Sequence, residues 1–185
     1  MGALNAVRPS ACASKPAGVH WLAGLLAHAE GLTALSAPTL PAYARYQGSV
    51  MAPQARCWGT DNRGAMLRVL GGVGDAATRI ENRLAEPMAN PHLVIAGQIA
   101  AGLDGLQRAL QPGPASATPY GGMHAPLPTS LPAALDALRA DAVLQRALGP
   151  VMASVYDTIK RQEIARHAGA EDSASWERRE YFSRY

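Results

Sequence analysis

Cysteine is scarce in this sequence, which contains only Cys12 and Cys57. Two cysteines so far apart provide neither a disulfide framework nor a pair at metal-ligand spacing, which favours a reduced, cytoplasmic protein. Long apolar runs are missing as well, because no stretch approaches the roughly 20 residues that cross a bilayer. The first residues contain no apolar run with a cleavage site, so neither membrane insertion nor a signal peptide is expected.

Lysine is nearly absent too, since only Lys15 and Lys160 accompany the arginines, at a formal net charge of +3. Aromatic residues make up 5% of the chain. The basic residues therefore form no stripe with a stacking platform, and nucleic-acid binding is not expected. Arginine is the better residue for holding a carboxylate or phosphate through two parallel hydrogen bonds. A GC-rich coding sequence is the simpler explanation for most of these arginines, so composition alone assigns no ligand.

Hydrophobic residues make up 48% of the 185 residues, which is enough for one domain with a core. Periodicity and capping residues predict several helices, separated by loops rich in proline and glycine. They cover 18–36, 91–110 after the capping residue Asn90, 132–140 after Ser130, 151–167 and 176–185, with a short turn over 141–148. Three β-like runs, 55–59, 65–70 and 78–85, complete the pattern. The prediction is an α+β fold of short antiparallel strands packed with several helices.

Residues 1–17 show no periodicity and are rich in small residues. They are predicted to be a disordered lead-in, and residues 18–185 to be the folded segment.

The most unusual local feature is the alternating run Arg79-Ile-Glu81-Asn-Arg83. On a strand its three charged side chains lie on one face, about 6–7 Å apart in steps of two. A carboxylate there suits Mg²⁺ or Mn²⁺, and the guanidinium groups suit carboxylates or phosphates. The plainer interpretation is a solvated strand face with weak ion pairs, and the pattern alone favours it.

Other polar residues are less distinctive. Arg63 and Arg68 lie near a turn flanked by glycines, and Arg45 lies in a long loop; phosphate contacts and ordinary surface positions explain them equally well. His28 is predicted to be a hydrogen-bonded structural histidine inside the first helix. No ligand role is predicted for the remaining candidates: His20, His92, His124 and His167, which have no partner at ligand spacing; Tyr120, which packs; and Arg161, Glu163 and Arg166, a solvated helix face.

In order and spacing, these residues resemble the glutamine synthetase family. The matching runs are HWLAGLLAHAEGLTALSAPT, PAYARYQGSVMAP, CWGTDNRGAMLRV, RIENRLAEPMANPHL and AGLDGLQRAL. The resemblance is strong over about residues 20–110, weaker in the tail, and implies the C-terminal part of the catalytic domain. In that family ATP phosphorylates the glutamate side chain, and ammonia or another amine displaces the phosphate. Mg²⁺ or Mn²⁺ ions bridge the phosphates during transfer.

The resemblance also implies a role for each arginine, carried over by position. Arg63 is implied to be catalytic, contacting ATP and the transferring phosphoryl group as well as glutamate. Glu81 is implied to be a metal ligand. The other arginines divide between the two substrates, with Arg45 and Arg83 binding glutamate and Arg68 and Arg79 binding the phosphates of ATP.

Departures from the family pattern bear on the amine. Met51 occupies the flap position where the family carries a glutamate that helps to bind and deprotonate ammonium. A thioether can neither hold a cation nor accept a proton. This favours the subgroup that joins glutamate to a polyamine or monoamine, although ordinary glutamine formation remains an alternative. Ala76 also replaces a lysine near the nucleotide.

The chain begins after the family's N-terminal domain and several of its metal-binding residues, so we expect the isolated chain to be inactive. A frameshifted or misplaced start is one hypothesis for this beginning. Full-length relatives form homo-oligomeric rings, so a further alternative is a non-catalytic subunit that joins intact relatives in a mixed ring.

Overall fold

The computed structural model of the protein describes residues 16–46, 52–72 and 74–182. The predictions for residues 1–15 and for Met51 therefore lie outside the described residues. Within the described ranges, no helix is long and apolar enough to cross a membrane.

Helices dominate the described residues. The first predicted helix is interrupted at His28 and forms two helices, and the predicted turn after Asp141 is a short helix capped by that side chain. Asn90 and Ser130 cap their helices as predicted, through side-chain oxygens that accept backbone N–H groups. The seven α-helices of the described part are α1 (Pro16–Ala27), α2 (Ala29–Ser36), α3 (Pro91–Gln107), α4 (Leu131–Ala140), α5 (Ala142–Leu148), α6 (Pro150–Ala168) and α7 (Ser173–Tyr181).

A small sheet has the strand order β1 (Trp58–Thr60), β2 (Leu67–Leu70), β3 (Arg79–Asn82). The predicted antiparallel pairing holds for β2 and β3, whereas β1 and β2 run parallel. After Thr60 the chain loops back beside β1 and enters the sheet again in the same direction. The parallel ladder is visible in the bonds from Leu67 N to Cys57 O at 3.1 Å and from Asp61 N to Val69 O at 2.9 Å. The α+β class is confirmed, with a mixed sheet.

The two faces of the sheet differ sharply. Leu67 and Val69 of β2 point into the core and are fully buried, while Arg68 between them points to the opposite, solvated face. This alternation follows from the two-residue period of a strand. One face of the sheet thus anchors β2 to the helices, and the other is left free for charged groups.

Helices α1 and α3 pack backbone to backbone. A Cβ at Gly24 would lie 2.1 Å from the carbonyl oxygen of Ala101 and 2.9 Å from the Cα of Gly105. Only glycine permits so close an approach, because any side chain would overlap the opposite helix. This crossing fixes the helical layer that supports the sheet.

The interpretation of Glu163 as part of a solvated helix face is wrong. Its side chain on α6 is 3% exposed and pairs with Lys160, Nζ to Oε2 at 3.0 Å. Tyr181 of α7 also donates its hydroxyl hydrogen to Glu163. Arg161 and Arg166 do lie at the surface, where they pair with carboxylates such as Asp136 and Glu180. A Lys–Glu pair three residues apart resembles a surface pair in sequence, but here it turns inward because α7 packs over it.

Candidate active site

The outer face of β2 and β3 brings three of the predicted site residues together. Arg68 of β2 is the cross-strand partner of Glu81 on β3. Its Nη1 lies 3.2 Å from Glu81 Oε2, and Arg83 Nε lies 3.6 Å from Glu81 Oε1. Strand alternation therefore placed Glu81 and Arg83 correctly on a common face, and strand pairing adds Arg68 to them.

Asp61 is a fourth member of this face, and sequence reasoning gave it no role. Arg68 Nε donates to Asp61 Oδ1 at 3.0 Å, and Arg68 Nη2 bonds the same oxygen. Hydrogen bonding to Asp61 raises the pKa of Arg68, so Arg68 is held as a cation between two carboxylates. Asp61 has a φ of +48°, a left-handed conformation that aspartate tolerates better than most residues. The signal for it was the Asp-Asn pair beside a glycine, which is typical of a tight turn.

Arg45 approaches the end of β3 from a 3₁₀ helix, Pro41–Tyr46. Its guanidinium donates to the backbone carbonyls of Leu84 and of Ala85, the latter at 3.4 Å. The Tyr46 hydroxyl donates to the same Leu84 carbonyl at 3.1 Å. Among the described residues, the buried Nε of Arg45 has no hydrogen-bond partner. Since Leu84 follows Arg83, the two arginines predicted to bind glutamate are held at adjacent points of one segment.

Arg63 is exposed and lies in the loop between β1 and β2, whose second half is buried. The side chain of Asn62 shapes this loop, accepting from Gly64 N at 3.0 Å. The ring of Tyr120 covers Gly64, and its hydroxyl donates to the Ala52 carbonyl at 3.3 Å. Tyr120 therefore packs, as predicted, and in doing so supports the Arg63 loop.

Arg79 begins β3 and is exposed, with Nη1 donating to the Ala77 carbonyl at 2.8 Å. Among the residues that the structure describes, neither Arg63 nor Arg79 pairs with Glu81. The structure thus joins Arg68, Glu81 and Arg83 directly, while Arg63 lies in the β1–β2 loop and Arg79 at the start of β3.

The charge of this surface favours anions. We call it the charged face: Arg45, Arg63, Arg68, Arg79 and Arg83 with Asp61 and Glu81. Five guanidinium groups against two carboxylates leave an excess of positive charge, which suits phosphates and carboxylates.

A divalent cation fits this face less well on its own. Both oxygens of Glu81 already face arginines. Nowhere in the described ranges do three His, Cys, Asp or Glu side chains gather as a metal site. Glu81 can therefore contribute one ligand, and the described residues do not complete a metal shell.

His28 is a structural histidine, as predicted. Its Nδ1 lies 2.7 Å from Asp141 Oδ2, and its Nε2 lies 3.0 Å from Asp104 Oδ2. The side chains of Asp104, in the last turn of α3, and Asp141, at the start of α5, are only 11% and 12% exposed. This cluster stabilises the helical layer and belongs to no ligand site.

Comparisons with known proteins agree with the geometry. Residues 8–181 match the family model described as glutamine synthetase, catalytic domain. The chain is 39% identical to a γ-glutamylanilide synthase of an Acinetobacter species, over 91% of this chain and 36% of that protein. It is 37% identical to a glutamine synthetase of Archaeoglobus fulgidus, over 78% of this chain and 31% of that protein.

Solved structures show the same relationship. A structure described as a GmaS/ADP complex superimposes with a TM-score of 0.75 at 33% identity, covering 91% of this chain and 40% of that one. The chain spans about a third of the length of the curated relatives that it matches.

Proposed function

Because this chain belongs to the glutamine synthetase catalytic-domain family, we propose that it forms the C-terminal part of an ATP-dependent ligase site that joins an amine to glutamate. In the proposed reaction the γ-carboxylate attacks the terminal phosphorus of ATP, which gives ADP and γ-glutamyl phosphate. The amine nitrogen then attacks the γ-carbonyl carbon. Phosphate leaves, the nitrogen loses a proton, and an amide bond remains.

The observation that carries this proposal is the pairing of Arg68, Glu81 and Arg83 on one partly exposed side of the sheet, with Arg45, Arg63 and Arg79 on adjoining segments of the chain. Phosphoryl transfer depends on positioned cations that neutralise charge as it develops. We assign Arg68 and Arg79 to the phosphates of ATP and Arg63 to the transferring phosphoryl group. The similar structure described as a GmaS/ADP complex supports a nucleotide as one of the substrates.

Glutamate is assigned to Arg45, Arg83 and Arg63. Arg45 already uses part of its guanidinium for the Leu84 and Ala85 carbonyls, while its Nε–H has no partner among the described residues. A substrate carboxylate near the end of β3 would satisfy that buried donor. The hydrogen bonds from Arg45 to the Leu84 and Ala85 carbonyls would then stay in place while the substrate binds.

Glu81 would hold Mg²⁺ or Mn²⁺ as one carboxylate ligand. When bound, the ion would supply positive charge that offsets the charge of the phosphates during transfer. Glu81 itself keeps Arg68 and Arg83 in place on either side, at 3.2 and 3.6 Å from its oxygens.

An organic amine is the acceptor that we favour over ammonia. Met51 at the flap position supplies no carboxylate for ammonium, and the γ-glutamylanilide synthase matches more of this chain than the archaeal glutamine synthetase does. We further propose that the ligase works in the cytoplasm as a ring of like subunits. A non-catalytic role within a mixed ring is the alternative to this arrangement.

Fragment complementation tests this function. The chain is mixed with the part of the Acinetobacter γ-glutamylanilide synthase that it does not match, and phosphate release is followed with ATP, glutamate and Mg²⁺. Ammonia, ethylamine, putrescine and aniline are compared as acceptors. Amine-dependent release is expected only in the mixture, and Arg63→Gln should lower it about 100-fold or more.

Arg146→Gln is the matched control, because Arg146 lies exposed on α5, outside the charged face. It should leave the rate unchanged. A mixture that co-purifies as a complex but releases no phosphate with any amine would contradict the proposed function.

A further inference from the structure

Two charges lie buried beneath α7, far from the charged face along the chain. Lys160 and Glu163 are 8% and 2% exposed, and Tyr181, which donates to Glu163, is 3% exposed. Burying an ion pair costs desolvation energy and stabilises a fold little by comparison with apolar packing. We call these three residues the α6–α7 cluster.

The cluster reaches directly to the segment that carries Arg45. The Tyr181 hydroxyl accepts a hydrogen bond from Leu40 N at 3.1 Å, across 141 residues of sequence. Leu40 immediately precedes the 3₁₀ helix Pro41–Tyr46. The hydroxyl thus donates to Glu163 and accepts from the backbone N–H of Leu40. Burial raises the pKa of Tyr181, so the hydroxyl keeps the proton that it donates to Glu163.

A second set of bonds joins the same segment to the end of β3. Thr39 Oγ1 donates to Glu86 Oε1 at 2.8 Å, and Glu86 N donates to Ser36 O at 2.9 Å. Together with the bonds to the Leu84 carbonyl, these contacts fasten residues 36–46 along residues 84–86. Tyr181 holds the start of the 3₁₀ helix, and Leu84 holds its end.

We propose that Lys160, Glu163 and Tyr181 are positioning residues, which fix Leu40 and thereby hold Arg45 beside Arg83 at the end of β3. The identity of the ligand that Arg45 and Arg83 bind rests on the proposed function, but the positioning of Arg45 does not. Lys160 holds the Glu163 carboxylate in place, Nζ to Oε2 at 3.0 Å. Glu163 orients the Tyr181 hydroxyl so that its lone pair faces Leu40 N.

Tyr181→Phe is the direct test, because it removes the hydroxyl and keeps the buried ring. Tyr156→Phe is the matched control. The Tyr156 hydroxyl likewise donates across the fold to a backbone carbonyl, but its partner is Ala34 O of α2, at 2.6 Å, and not Leu40. Tyr181→Phe loses the bonds to Glu163 and Leu40, and Tyr156→Phe loses the bond to Ala34, so a general loss of stability affects both.

Two readouts report on the segment without any ligand. Amide hydrogen exchange follows Leu40 and the 3₁₀ helix, and NMR follows the Nε–H signal of Arg45, which Arg45→Gln assigns. Tyr181→Phe should speed the exchange of Leu40 about fivefold to tenfold, the worth of one hydrogen bond. It should also shift or broaden the Arg45 signal. Tyr156→Phe should leave both as they are.

The Nε–H of Arg68, which is bonded to Asp61 at 3.0 Å, serves as an internal reference and should not change in either variant. If Tyr181→Phe does not fold, Glu163→Gln decides with the same two readouts, since it weakens the ionic contact with Lys160 and retains the side-chain shape. Unchanged exchange at Leu40, or equal effects of the two tyrosine variants on Arg45, would overturn the proposal. These results stand apart from the ligase assay, because no substrate is present.

Discussion

His28 and Asp141 are 113 residues apart in sequence, yet His28 Nδ1 lies 2.7 Å from Asp141 Oδ2. The other ring nitrogen faces Asp104, 3.0 Å away, and Arg108 neutralises part of that second carboxylate from 2.8 Å. One imidazole therefore joins the α1–α2 junction to α3 and to the start of α5. Both nitrogens can donate at once only when the ring is protonated.

A dependence of stability on pH follows from this arrangement. The hydrogen bond with Asp141 raises the pKa of His28 above its ordinary 6.5, against the opposing effect of burial. A raised pKa gives stability that is fully present below pH 6.5 and is lost as pH rises through the folded-state value. The free energy of unfolding, measured by urea denaturation, should therefore fall as the pH rises above 6.5. His28→Asn should lose this fall, whereas His92→Asn, an exposed control on α3, should keep it.

The same cluster also predicts a loss of folding stability at acid pH. Although burial alone would raise them, the pKa values of Asp104 and Asp141 lie below the ordinary 3.8, because His28 and other donors bond their charged forms. Their contribution is present above pH 3.8 and is lost as pH falls through the lowered values. Maximal stability from the cluster is thus expected between about pH 4 and 6.5. A stability that rises steadily from pH 6 to 9 would contradict this assignment.

The α1–α3 crossing predicts a large effect of one methyl group. In Gly24→Ala the added Cβ would meet the Ala101 carbonyl oxygen at 2.1 Å, so the two helices must separate. The unfolding free energy should fall by about 1–3 kcal/mol or more. Gly169→Ala is the control, since nothing lies closer than 3.9 Å to its Cβ. Thermal melts that place both variants within about 0.5 kcal/mol of the parent would show that the crossing is looser than described.

Local signals explain which parts of the fold were predictable. Asn90 with Pro91 and Ser130 are short-range caps, so sequence shows where those helices begin. Strand alternation likewise placed Glu81 and Arg83 on one face. The parallel pairing of β1 with β2 depends on how a short loop folds back, which no periodicity encodes. Hence the sheet was predicted to be antiparallel throughout.

The burial of charged side chains is the other feature that the sequence does not predict. Glu163 was interpreted as solvated because a charged pair three residues apart usually lies on a helix surface. Its burial depends on Tyr181, which arrives from a separate helix. Asp61 was missed as a member of the charged face for a related reason. Its contact with Arg68 arises from the loop conformation, whereas the resemblance to a known family carried over only the residues of the family motif.

The isolated chain should show no ligase turnover. At the charged face Asp61 is bonded to Arg68, which leaves Glu81 as the assigned metal ligand, and among the described residues no three His, Cys, Asp or Glu side chains gather as a metal site. With ATP, glutamate, Mg²⁺ and ammonia or an organic amine, phosphate release should equal a protein-free blank. Robust amine-dependent release that disappears in Arg63→Gln would refute this expectation, and residual release that persists in Arg63→Gln would identify a contaminating ATPase.

Glu81→Gln separates a metal ligand from a simple ion pair. Without a metal, removing this carboxylate from between Arg68 and Arg83 leaves the face more positive, so ADP should bind more tightly. The expected gain in affinity is about fivefold, near the ~1 kcal/mol of two unit charges 4 Å apart in water.

With Mg²⁺ the effect on ADP affinity should reverse, so that Glu81→Gln binds ADP more weakly, because the variant loses a ligand to the ion that the nucleotide brings. Calorimetric titration of ADP in EDTA and in Mg²⁺ measures both affinities, and Glu177→Gln, a carboxylate of α7 paired with His167, should change neither. If Glu81→Gln tightens ADP binding equally in both buffers, Glu81 serves only to hold the two arginines.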